Sequence, residues 1–82
     1  MLQGMETDQR LNLVISLTSI RSEPQKLALQ KHFVEGLNFS ACAALSEISE
    51  SNFQRAMDRV QAVDDVIEKI KELDWVQFKS EK

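Results

Sequence analysis

Between Ser49 and Arg59 the chain sets out side chains that suit a nucleic-acid surface: Ser51, Asn52, Gln54, Arg55 and Arg59. Asparagine and glutamine can pair with adenine, and arginine with guanine or phosphate. Phe53 and Ala56 interrupt them at a spacing of three, with Ser49 placed before the run as a helix cap. A helix here buries Phe53 and Ala56 and turns Glu50, Ser51, Gln54, Arg55, Asp58 and Arg59 outward. Lys31 joins the candidates through charge. Residues 21–45 carry Arg21, Lys26 and Lys31 against Glu23 and Glu35, a mild excess of positive charge. Residues 63–82 carry six acidic groups against four lysines. A polyanion is therefore expected to meet the 21–45 region and the outward face after Ser49, with the acidic C-terminal stretch pointing away.

No other chemistry is set out at a usable spacing. His32 stands alone beside Phe33, without an acidic partner at catalytic spacing, and Cys42 lies among alanines where a small packing residue is wanted. One cysteine allows no internal disulfide and no multi-cysteine zinc site. Glycine-rich phosphate loops, paired carboxylates, metal constellations and Ser/His/Asp sets are absent from the sequence. The expectation is a protein that is not an enzyme and takes no cofactor, metal or small-molecule ligand.

The elements that must position the candidate face follow from caps and periodicity. Thr7 caps a first helix with Asp8 in its first turn. Its apolar arc is wide, with Leu11, Val14 and Ile15 on one face and Leu13, Leu17 and Ile20 on the next. Ser22 and Gln25 form a capping box around Pro24, and Gly36 ends the helix they open. Asn38 caps a short third helix, Phe39 to Ser46, rich in alanine. Glu47-Ile48-Ser49 is a turn, and the next helix begins after it. A short helix, a three-residue turn and a longer capped helix make a helix-turn-helix, with Ala43 small where the two cross. The apolar series Ala56, Val60, Val63, Ile67, Ile70 continues the last helix as a heptad seam. The fold class predicted is all-α, four to five helices, with a long C-terminal helix.

The 82 residues form a single helix-turn-helix domain, 1–82, whose ends, 1–6 and 79–82, are expected to fray. Hydrophobic residues are 43% and charged residues 28%, a globular balance, and the net charge of −3 excludes a binder that grips polyanions by bulk charge. No secretory signal and no apolar run long enough for a membrane span is present, so a cytoplasmic, nucleoid-associated location without membrane contact is expected. The first helix and the seam from Val60 to Ile70 offer more apolar surface than so short a monomer covers, and a homodimer or larger homo-oligomer is expected. The alternative folds the C-terminal helix over the first within one chain, with Trp75 and Phe78 closing the gap.

From Leu17 to Leu73, about two thirds of its length, the chain resembles the adhesin-biosynthesis transcription regulators of the Pap, Foc and Sfa fimbrial type. The residues that carry the resemblance are Leu17-Thr18-Ser19-Ile20-Arg21-Ser22-Glu23, Ala28-Leu29 and Phe33-Val34-Glu35-Gly36. Ser49, Ser51-Asn52-Phe53 and Arg59-Val60-Gln61-Ala62-Val63 complete them. The helix-turn-helix is also similar to plasmid repressors of the TrfB/KorA type. The resemblance implies a regulator of a bacterial fimbrial operon that binds AT-rich double-stranded operator DNA as an oligomer. Phe39 and Ser40 stand where the family carries basic residues, Glu47 where its turn carries glycine, and Glu50 adds a carboxylate near the expected phosphate. Two alternatives follow: an interaction module that hetero-oligomerises with a regulator, and a plasmid-type operon repressor.

Overall fold

The computed structural model describes residues 1–80, with side chains through Trp75, and is built from four helices without strands among those residues. α1 (Asp8–Ser16) starts where the Thr7 side chain accepts from the Arg10 N–H at 3.2 Å. It ends before Leu17 because Thr18 intervenes: its hydroxyl donates to the Ile15 carbonyl (2.6 Å) and accepts from the Ile20 N–H (3.1 Å). That turn corrects the expected placement of Ile20 beside Leu13 and Leu17. Ile20 is buried in the core, whereas Leu13 and Leu17 stay in water.

α2 (Glu23–Phe33) has Ser22 as N-cap, accepting from the Gln25 N–H at 3.4 Å. The reciprocal half of the expected capping box is not made. The Gln25 amide reaches α4 instead and donates to the Asn52 carbonyl at 3.3 Å. Asn38 caps α3 (Phe39–Leu45), accepting from the Ala41 N–H at 2.8 Å, and Ser49 caps α4 (Glu50–Ser80), accepting from the Asn52 N–H at 3.1 Å. Expected as two helices or one, the segment after Ser49 is one continuous helix.

The core joins all four elements through Leu11, Val14, Ile15, Ala28, Leu29, Phe33, Cys42, Ala43, Phe53, Ala56 and Val60. Phe39 stacks on Phe53 with ring centroids 4.9 Å apart. Val63 and Ile67 pack against the same core. Of the seam expected to face a second chain, Val60 is buried in this one, Val63 and Ile67 are half-buried against its core, and Ile70 is exposed. The intramolecular alternative holds in part: α4 lies against α1, where Arg10 reaches Asp64 and Glu68, but Trp75 is exposed, and the Phe78 side chain lies outside the described residues.

Residues 1–6, expected to fray, are held against α2 and α4. The last carbonyls of α2 lack partners within the helix. The Gly4 N–H donates to the His32 carbonyl (3.1 Å), and the Glu6 N–H to that of Phe33 (2.9 Å). Gly4 and Gly36 both have positive φ, +70° and +84°, and their backbones touch; a Cβ on Gly4 would lie 3.1 Å from the Gly36 Cα. For residues 81 and 82 the expected fraying lies outside the described residues. No helix among the described residues is long and apolar enough to cross a membrane.

Candidate nucleic-acid interface

The helix-turn-helix forms as its sequence requires. Ser46 closes α3, and Glu47 takes φ +57°, the left-handed conformation that the turn demands. The Glu47 and Ile48 N–H groups return to the carbonyls of Ala44 and Ala43, at 3.2 and 3.1 Å. Ala43 is buried where α3 meets its neighbours, and Phe53, Ala56 and Val60 seat α4 on the core. Ser51, Asn52, Gln54, Arg55, Asp58 and Arg59 are all exposed along the first turns of α4.

These side chains divide into two flanks. Asn52, Arg55 and Arg59 recur at steps of three and four and line a cleft of about 240 Å³ with Ala56. The opposite wall is the loop and helix start that precede the helix-turn-helix: Ser19, Ile20, Arg21 and Gln25. Arg59 donates to the Ser19 hydroxyl, which fixes its guanidinium against that wall. On the other flank the Gln54 amide donates to the Asp58 carboxylate at 2.9 Å. Among the described residues, Arg21, Arg55 and Arg59 have no carboxylate within ion-pair distance. Three uncompensated guanidinium groups around one cleft are notable in a chain of net charge −3.

Lys31 is not brought to this cleft. It lies in the last turn of α2, half-buried and near Cys42 and Glu35, whereas the cleft is walled by the first turn. Arg21, which the spacing argument did not single out, takes its place. The available signal was its positive charge within the basic 21–45 stretch, just before the Ser22 cap. Phe39 belongs to the core through its stack on Phe53. The Ser40 hydroxyl donates to the Glu50 carboxylate at 3.1 Å and ties the start of α3 to the start of α4.

The two other candidate groups are structural. His32 is buried, with Nδ1 2.9 Å from the Leu37 carbonyl and its ring edge-on to Phe33. Cys42 is buried, and burial pushes its thiol pKa up, which keeps it protonated rather than nucleophilic.

No protein-family profile and no curated protein matches this chain. Among solved structures, it matches the crystal structure of FocB from E. coli with a TM-score of 0.80. The match covers 87% of this chain and 81% of that one at 17% sequence identity. The fold is that of FocB. The resemblance drawn from the sequence thus points to the same group of proteins as the backbone does.

Proposed function

We propose that this protein is a transcription regulator of a bacterial adhesin or fimbrial operon. It acts in the cytoplasm, at the nucleoid, by binding AT-rich double-stranded DNA as a dimer or higher oligomer. The observation that carries the reading is a helix-turn-helix of FocB fold whose second helix exposes Arg55 and Arg59 without acidic partners. Ser51, Asn52 and Gln54 lie beside them on the same turns and supply donors and acceptors for base edges. The exposed acidic residues Asp65, Glu68, Glu72 and Asp74 lie farther along α4, away from the duplex.

A second reading is favoured by Phe39 and Glu50: a module of this fold that binds a regulator rather than DNA. The position where the family carries a basic residue is taken up by a core aromatic, and the first turn of α4 carries a carboxylate. Mobility shifts on AT-rich and GC-rich duplexes at low and moderate salt separate the two. Arg55→Ala and Arg59→Ala, on folded protein, are each expected to weaken duplex binding. Binding unchanged in both variants takes α4 out of the interface. No shift of the parent protein on any duplex leaves the interaction-module reading.

A further inference from the structure

We propose that the cleft between the α1–α2 loop and α4 is a phosphate subsite. Arg21, from outside the helix-turn-helix, joins Arg55 and Arg59 there to hold one phosphodiester of a bound duplex. The proposal deepens the DNA-binding reading and rests on it.

The geometry favours phosphate over a base edge. Arg21 and Arg59 line opposite walls, so an anion between them meets guanidinium groups from both sides, the arrangement that bidentate phosphate contacts use. Neither group is neutralised by a carboxylate among the described residues. The walls are held at a set width. The Gln25 amide bridges α2 to the Asn52 carbonyl, and the Ser19 hydroxyl anchors Arg59. A site held open in this way loses less side-chain entropy on binding than two free surface arginines would.

The charge also continues beyond the cleft. Arg21 lines a second, adjoining cleft with Asn12, Thr18 and Lys26, so the basic strip extends from α4 across the loop to the first turn of α2. Lys26 is loosely paired with exposed Glu23 at 3.7 Å. The N-terminal end of α2 adds positive potential on that side. A strip running away from the face of α4 follows a phosphate backbone and leaves Ser51 and Gln54 for the groove.

The experiment measures duplex affinity over a salt series for the parent, Arg21→Ala and Arg21→Lys, with thermal melts to establish folding. In Arg21→Ala the slope of log affinity against log salt is expected to fall by about one, with the AT-over-GC preference kept. Arg21→Lys is expected to restore the slope. A parent-like slope in Arg21→Ala, alongside loss of binding in Arg55→Ala, overturns the subsite and leaves the DNA-binding reading intact. If the parent binds no duplex, the DNA reading fails instead, and inorganic phosphate titrated into the parent while amide resonances are followed tests the cleft alone. Shifts confined to Ser19, Gln25 and Asn52 and lost in Arg21→Ala keep an anion site there. Their absence, or their persistence in Arg21→Ala, overturns it.

Discussion

Glu47 carries a side chain at a φ of +57°, where a Cβ meets the following carbonyl and a non-glycine residue loses about 1–2 kcal/mol. The turn imposes this conformation, since the Glu47 and Ile48 N–H groups must both turn back to α3. Its side chain is exposed and has no ion pair among the described residues to offset the strain. Glu47→Gly is therefore expected to stabilise the protein by roughly 1 kcal/mol, after the larger chain entropy that glycine loses on folding. Thermal melts should rise by about 4–8 °C for a domain of this size. A melt that falls would place the strain elsewhere in the turn.

At the scale of elements, α4 is tied to α1 and the N-terminal segment by charge as well as by packing. Asp64 is 4% exposed on α4. Its Oδ2 is 3.1 Å from the Met1 amine, and its Oδ1 is 2.8 Å from Arg10 Nη2, an ion pair outside hydrogen-bond alignment. Arg10 also reaches Glu6 at 3.1 Å and Glu68 at 2.9 Å. Burial alone would push the Asp64 carboxyl up, but the amine and Arg10 together hold it below the ordinary carboxylate value. A carboxyl with a lower pKa in the folded state contributes stability above its unfolded pKa of about 3.9, and that contribution is lost as pH falls through the folded value. Stability is expected to drop on acidification below about pH 4, and Asp64→Asn is expected to flatten that drop. At neutral pH the same variant should cost about 1–3 kcal/mol, because Arg10 and the amine lose a charged acceptor. Denaturant titrations across the pH range check both. An unflattened acid limb in Asp64→Asn would assign it to other carboxylates.

For the whole molecule the decisive feature is α4, whose 31 residues extend about 46 Å at 1.5 Å per residue along a molecule 51 Å in its longest dimension. Its first half closes the core, and its second half projects past it. Val66, Ile70 and Leu73 recur at steps of four and three along one side of that half and are 55%, 52% and 70% exposed. Leu13 and Leu17 form a second uncovered pair at α1. Covering such side chains is worth roughly 1.5–3 kcal/mol each, and a second copy of the chain would do so. Sedimentation of the parent is expected to give a dimer or larger species, and Ile70→Glu to give a folded monomer whose melt is lower than the parent's and independent of protein concentration. A parent that sediments as a monomer would defeat the oligomeric part of the proposed function.

The sequence alone determined what is settled within a few residues along the chain. The Thr7, Ser22, Asn38 and Ser49 side chains each accept from an N–H three residues on, and Gly36 and Glu47 take positive φ at the turns that need it. Such contacts form wherever the local sequence allows them, so helix starts and the helix-turn-helix could be placed without a fold. The outward face of α4 followed from the burial of Phe53 and Ala56 by the helical period. Only the tertiary structure decided which partners meet across long stretches of chain. Gln25 has a helix cap in reach and bonds to Asn52, 27 residues away, while Arg59 finds Ser19 at a separation of 40. Gly4 lies on Gly36, Val60 is buried in the chain's own core, and Val63 packs against it. Each of these choices sets one local option against a packed alternative of similar energy, and packing of the whole core chooses between them. Arg21 became a site residue by that choice, because only the docking of the α1–α2 loop on α4 places it across the cleft from Arg59.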